Sequence, residues 1–568
     1  MKTKIIFVAC FTFCFLFLSA TNLCGQKVLK DTMVNVVKSF QPTIADAYKI
    51  NDPPAIKDSI PTAPQLVYFI NSKNFFTPFT VETLRPAKMV GEPLTKLYPA
   101  LIKVGFGNYY TPYAEIFYNN LRSKDMAYGA HLKHFSSKAD MEGYGFGGLS
   151  DNQIEFYGKK FLRKHTLSGN LDYNRNVIHY YGYDTSLIPI SDNDYIKQRY
   201  SNIGGNVSLQ SHYTDSVHTN YFLKLNYYNL MDFYNTSENN IYAYGDFNGY
   251  YEKQLIHVPV TVDYYNHKST ADTSNSVLIG LAPYLTAKGD KWSTRIGVGI
   301  SIEGNQNNKS RFLFYPNIDF NYNVVANIIV PYAGITGGLK KNSLKTLTDE
   351  NPFLVPNPSM KNTNEKWEMY AGLRGSISKT LSYSARTSYK KSEDMYFFVN
   401  DNSDLVKKGF NVLYQDANVW NLHGELQFQS NEKIKLFAKG DYNSYLIPYE
   451  KVAGTLESKP WHRPALQLTF SANYNLKNKI VVNADVFFIG NRQAVSATNG
   501  IGTNILVNAY SITTLKSIVD ANLSLEYRYS KKLSAFLNFN NLGFKRYEIW
   551  NNYPSYKFNF LAGVSVIF

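Results

Sequence analysis

The stretch Lys557-Phe558-Asn559-Phe560-Leu561-Ala562-Gly563-Val564-Ser565-Val566-Ile567-Phe568 decides the fold. Phe558, Phe560, Ala562, Val564, Val566 and Phe568 recur at every second position, with Lys557, Asn559, Gly563 and Ser565 between them. A period of two sets these groups on opposite faces of a strand. In hydrocarbon every backbone N–H and C=O needs an internal partner. A β-protein therefore crosses a bilayer only as a closed barrel whose strands alternate lipid-facing and lumen-facing side chains. A long strand, apolar on one face and finishing on an aromatic residue, is expected to close such a barrel. Phe558, Phe560, Val564, Val566 and Phe568 are also the expected assembly signal for barrel insertion machinery.

Working back from this strand, alternation dominates from about Ala100 onward. Leu466, Leu468, Phe470, Ala472 and Tyr474 oppose Gln467, Thr469, Ser471 and Asn473. Val482, Ala484, Val486 and Phe488 oppose Asn483 and Asp485, and Ala521, Leu523, Leu525 and Tyr527 oppose Asn522, Ser524, Glu526 and Arg528. Trp367, Met369, Ala371 and Leu373 oppose Glu368, Arg374 and Ser376. A charge at the lipid midplane costs about 2–4 kcal/mol, so Arg374, Asp485, Glu526 and Arg528 are expected in the lumen. Tight turns are expected at 475–479, 530–532, 378–380, 430–432 and 288–290. Long connections fall at about 339–365, 447–462, 490–516 and 541–555; in outer-membrane barrels the short set is periplasmic and the long set extracellular. The count is about 22 strands, or 24 if Met395–Asn400 and Gly409–Tyr414 are wall strands rather than a hairpin rising from a loop. The expected fold is an all-β, antiparallel transmembrane barrel over residues 98–568, too wide for wall side chains to fill.

The region before the barrel differs. Residues 1–25 have a basic start, Lys2 and Lys4, an apolar run from Ile5 to Leu18 and small residues at Ser19-Ala20, the pattern of a cleaved signal peptide. Cys10, Cys14 and Cys24 all lie within it, so disulfides and thiolate chemistry are not expected in the mature chain. Cys24 also suggests lipidation, but the bulky Leu23 precedes it. Residues 26–97 hold eight prolines, which excludes a regular sheet; an extended segment is expected there, with at most a short helix near Pro42 to Tyr48, serving as a partial plug or a periplasmic arm.

Composition agrees with a membrane barrel. The mean hydropathy of −0.29 is slightly hydrophilic, yet 15% of residues are aromatic, with 46 Tyr and 37 Phe. Half of each strand faces a wet lumen, while aromatic residues fill the lipid face and the interfacial girdles. The net charge of +15 is dispersed among strands and turns, so nucleic acid is not an expected partner. Contact with outer-membrane lipid and lipopolysaccharide, or a cationic lumen, accounts for it better.

Motifs for chemistry are sparse. Gly143-Tyr144-Gly145-Phe146-Gly147-Gly148 fits a dinucleotide fingerprint by letters, but a strand follows where a helix is required, so a loop is expected. His131 and His134 stand three apart on a strand and point to opposite faces, which argues against a shared metal. His179-Tyr180-Tyr181 reads as an aromatic cluster at the membrane interface. Lys159-Lys160-Phe161-Leu162-Arg163-Lys164-His165 reads as a solvated periplasmic turn, or as a docking site for an acidic partner. No serine sits on a nucleophile elbow, and neither an enzyme nor a cofactor is expected; a barrel hydrolase with a triad assembled from distant strands is the least favoured alternative.

The segments Val519-Asp520-Ala521-Asn522-Leu523, Lys532-Leu533-Ser534-Ala535-Phe536, Asn540-Asn541-Leu542, Tyr547-Glu548 and Phe558-Asn559-Phe560-Leu561-Ala562-Gly563 resemble the last three strands of TonB-dependent receptors of Bacteroidota-type bacteria. Asn351-Pro352-Phe353-Leu354-Val355-Pro356-Asn357-Pro358 and Asn364-Glu365-Lys366-Trp367-Glu368 are similar to a long loop and its following strand in that family. The resemblance implies an outer-membrane barrel that transports or binds a solute, with a TonB-type energiser or another periplasmic protein as partner. Those receptors also carry a plug domain behind a TonB box, and no full plug is expected in residues 26–97. A plugless subunit of an envelope assembly is the alternative expectation.

Overall fold

The computed structural model describes residues 96–568 apart from 191–192, 253, 271–272, 306–307, 402–403, 405, 449–457 and 498–509. The expected signal peptide and nearly all of the Pro-rich segment lie outside the described residues. From Ala100 the chain runs up and down as an antiparallel sheet, each wall strand pairing with the next. Strand Ala100–Gly107 then pairs with strand Asn559–Ile567, in register from Leu101 opposite Ile567 to Gly107 opposite Leu561, and the ring is shut. The amide of Phe568 extends the seam by donating to the Ala100 carbonyl at 2.9 Å.

The ring has 22 wall strands. Thr273–Leu281 and Tyr284–Lys288 share the same two neighbours and form one strand, broken at Pro283, which has no N–H to donate. The residues 395–400 and 410–414 that left the count open are the upper ends of wall strands Leu381–Asp401 and Phe410–Ser430, bent by a register shift between Ser392 and Met395. Each of these strands has 21 residues, against the 9–11 that span hydrocarbon, so the pair rises well clear of the bilayer. Ribbon Arg492–Ala497 with Tyr510–Leu515 and the short pair Glu548–Trp550 with Tyr553–Pro554 stand outside the ring, in long connections. No helix among the described residues is long and apolar enough to cross a membrane.

The two faces separate as the alternation requires. Leu171, Ile203, Val207, Leu225, Phe312 and Phe314 stand on the outer wall with more than half their surface open, as lipid-facing positions of a barrel require. All five expected tight turns are present. Lys477 and Asn478 both have positive φ, as in the two-residue turns whose twist matches antiparallel strands. At the seam Gly105 pairs with Gly563. The Phe536 ring lies so close that a Cβ on Gly563 would stand 2.3 Å from the ring edge, and the same spot is 2.3 Å from the Val104 carbonyl. Only glycine leaves room for the ring to cover the closing backbone.

Candidate functional site

The outer mouth of the ring is covered by its own long connections. Eight of them, at 138–148, 180–196, 232–236, 341–362, 402–409, 447–465, 490–517 and 541–558, send described residues into two adjoining buried clusters. In the first, Tyr180, Leu354, Phe398, Phe410 and Tyr553 are almost fully enclosed; in the second, Phe397, Val399, Trp461 and Val495 are. The rings of Phe353 and Tyr553 stack at 3.9 Å between centroids, and Trp550 meets Phe398 edge-on at 5.1 Å. Burying a single large aromatic side chain stabilises by roughly 1.5–3 kcal/mol, so this assembly is a folded core and not a set of solvated loops.

Polar groups tie connections from different sectors of the ring. The Tyr180 hydroxyl donates to the Leu354 carbonyl at 2.5 Å, Tyr553 to Lys407 at 2.6 Å and Tyr556 to Gly147 at 2.6 Å. Arg492 donates one guanidinium nitrogen to the Ile549 carbonyl and another to that of Glu548, at 2.8 and 2.7 Å. The ribbon carrying Arg492 also runs parallel to the tip of Leu381–Asp401, with Asn400 opposite Ser496. His462 joins the two clusters. Its Nδ1 lies 2.9 Å from the Phe398 carbonyl, and its Nε2 accepts from the Asn551 amide at 3.4 Å. That pairing requires a neutral ring with the proton on Nδ1. Burial pushes its pKa down to about 4.

Beneath the cap, the connection 341–362 is anchored to the inner wall. Its short helix, Leu344–Glu350, starts at the N-cap Ser343. Glu238, fully buried on the wall, accepts from the Leu344 amide at 2.6 Å and from the Tyr228 hydroxyl at 2.6 Å. Lys341 pairs with Asp263 at 2.9 Å, and Asn362 donates to Glu303 at 2.8 Å. A buried charge costs several kcal/mol unless partnered, so these pairings fix the loop's base.

Of the charged residues singled out in the sequence, Glu526 and Arg528 meet each other, while Arg374 and Asp485 make separate contacts. Arg374 donates to Asn321 at 2.9 Å and stacks over the Tyr332 ring. Asp485 accepts from Ser471 at 2.5 Å and lines a cavity of about 290 Å³ with Asn522, Ser524 and Asn538. Glu526 and Arg528 pair at 3.0 Å on the wall of a neighbouring cavity of about 1010 Å³. On the closing strand, Phe560, Val564 and Phe568 are exposed on the outside, while Ser565 and Ile567 line the larger cavity.

The histidines part as their spacing requires: His131 reaches Glu115 at 3.1 Å, whereas His134 bonds Asn152 at 2.6 Å on the other face. Gly143 to Gly148 form a loop with Gly143 at positive φ, and 159–165 is a tight turn. One expectation is corrected. His179-Tyr180-Tyr181 is not an interfacial girdle, because Tyr180 is 1% exposed inside the cap and His179 is held by the Gly148 carbonyl at 2.6 Å. Sequence reading missed the cap as a whole. Its signal was there: Phe353-Leu354-Val355 and Tyr547-Glu548-Ile549-Trp550 are too apolar for connections left in water.

No protein-family model matches the sequence, and no curated protein matches it. Solved structures do match the fold. The ferric-catecholate import receptor Fiu of Escherichia coli superposes with a TM-score of 0.61 at 10% identity, over 84% of this chain and 82% of that one. The FrpB iron transporter of Neisseria meningitidis gives 0.62 at 9%, over 84% and 82%. The pyoverdine outer membrane receptor FpvA of Pseudomonas aeruginosa gives 0.60 at 12%, over 84% and 79%. The chain thus has the fold of outer-membrane transport receptors, and identities this low carry the fold alone.

Proposed function

We propose that this chain is an outer-membrane transport receptor in which the packed outer connections form the gate. The observation that carries the reading is the cap, a buried aromatic core drawn from eight connections and set over a polar lumen. A ring of this width would breach the membrane barrier if left open. Passage of a solute then requires the cap to part, and a solute recognised there is one too large for simple porins. The shared architecture with siderophore receptors supports import as the direction, with a TonB-type energiser acting on the periplasmic side. Export behind a cleaved signal peptide, residence in the outer membrane against lipid and lipopolysaccharide, and insertion by barrel machinery belong to the same reading.

Conductance in planar bilayers tests the gate. The native protein is expected to seal tightly, and Phe410→Ala combined with Tyr553→Ala is expected to give large openings. Large stable conductance by the native protein sinks the gate. A peptide of residues 26–50 titrated against a TonB C-terminal domain tests energised import separately; no binding at high concentration removes that part and favours a plugless assembly subunit.

A further inference from the structure

The inner mouth of the ring is as distinctive as the outer one. Eight short connections, at 120–125, 159–165, 212–219, 288–291, 377–380, 431–435, 477–479 and 529–532, carry fifteen lysines and arginines against four aspartates and glutamates. That excess of eleven is about three quarters of the chain's net charge of +15, so a charge that reads as dispersed along the sequence is largely gathered on one rim. Most of these side chains project into open solvent. Four of them, Lys477, Lys479, Lys531 and Lys532, together with the equally exposed Lys96, line the cavity of about 1010 Å³ that opens beneath the seam.

The topology brings them together. The turn 477–479 joins Leu466–Leu476 to Ile480–Ile489, and the turn 529–532 joins Ile518–Arg528 to Leu533–Asn540. Ile480–Ile489 pairs directly with Ile518–Arg528, so the turns stand about two strand spacings, or roughly 10 Å, apart. That is close to one screening length, and their fields add. The other two cations on the lining are already compensated, Lys103 by Glu115 at 3.0 Å and Arg528 by Glu526 at 3.0 Å. None of the five lysines has a carboxylate partner among the described residues. Lys96 and Lys532 lie over the Tyr98 ring, and Lys479 donates to the Tyr529 carbonyl. Deeper in, Asn483, Ser524 and Asn538 supply hydrogen-bonding groups.

We infer that this cavity is a docking site for an acidic peptide segment of a periplasmic protein. Uncompensated like charges around a concavity attract a polyanion, and a concave low-dielectric wall focuses that field. The site lies inside the ring, on the face opposite the lipid-facing Leu523 and Leu525, so bilayer headgroups outside the wall do not reach it. Its volume is at the upper end of small-ligand pockets, and its lysines are spread over two turns and the approach to the first strand, which suits an extended chain of carboxylates better than one compact phosphate. The inference concerns the opposite end of the ring from the proposed gate and stands whether or not that gate opens.

The test uses the full chain in neutral detergent micelles and a fluorescent acetylated hexaglutamate peptide at low ionic strength. The quadruple variant Lys477→Gln, Lys479→Gln, Lys531→Gln, Lys532→Gln is expected to weaken binding at least about tenfold, as loss of four exposed ion pairs predicts. Lys159→Gln, Lys160→Gln, Arg163→Gln, Lys164→Gln removes the same charge from the same rim outside the cavity and is expected to cost less than about twofold. Carbodiimide cross-linking on the native protein keeps the test independent of how the variants fold. Cross-links to the peptide are expected at the cavity lysines in preference to Lys159 and Lys160. Equal losses in both variants, cross-links spread evenly around the rim, no binding by the native protein, or equal competition by phosphatidylglycerol vesicles or inorganic phosphate at matched charge would each overturn the inference.

Discussion

His462 shows how much one side chain can hold when it sits between two packed clusters. It is buried in the cap with its Nδ1 directed at one carbonyl and its Nε2 facing one amide, an arrangement only the neutral ring satisfies. Its pKa is about 4 here, against about 6.5 in an unfolded chain. As pH falls below 6.5 the unfolded connection takes up a proton that the folded one refuses. The cap therefore keeps the full contribution of His462 above about pH 6.5 and loses it progressively down to about 4. Protection of the amides at 458–465 and 548–553, taken relative to the intrinsic exchange rate at each pH, is expected to fall over that window, and His462→Gln to flatten the dependence; a flat native protection profile counts against it. Phe568 makes the second prediction at this scale. The residue is 56% exposed on the outer face, while its amide completes the seam. Deleting it is expected to lower folded protein in the outer membrane more than any loop deletion of similar size, as judged by heat-modifiable migration.

At the scale of elements, the seam is the most sensitive join. Replacing Gly563 by Val drives a side chain into the Phe536 ring and the Val104 carbonyl together, and the carbonyl cannot move without breaking the ladder. Gly563→Val is expected to abolish assembly, whereas Phe536→Ala with Gly563→Val recovers part of it only if the ring is the main obstacle; recovery to native levels would show that the backbone yields. Period-two alternation made the wall strands legible because each wall residue faces either lipid or water, and those environments select opposite chemistry. The expectation that Arg374, Asp485, Glu526 and Arg528 face the lumen rests on the same alternation. The cap connections obey no period, since their neighbours come from eight places along the chain. Residues such as Tyr180 and Trp461 acquire their surroundings only once the ring has closed. Aromatic density in the long connections was the one local trace of that core.

For the whole molecule, the two mouths differ in kind. The outer one is covered by buried aromatic packing and the inner one is fringed with uncompensated lysines. Truncating a fully buried Phe costs about 3–5 kcal/mol, so Phe410→Ala alone is expected to loosen the cap without unfolding the barrel. Protease cleavage confined to the outer connections would show this, while cleavage across the wall strands would show that cap and wall fold as one unit. The seam has a further consequence, which concerns time. The side chain of Asn108 reaches the Phe558 carbonyl across 450 residues of sequence, and the same is true of the paired strands on either side. Until Asn559–Ile567 has been delivered, strand Ala100–Gly107 has a bare edge and the partly made sheet has nowhere stable to stop. The ring stays open until nearly the whole chain has been made, and the nine-residue strand Asn559–Ile567 sets the moment at which it can shut.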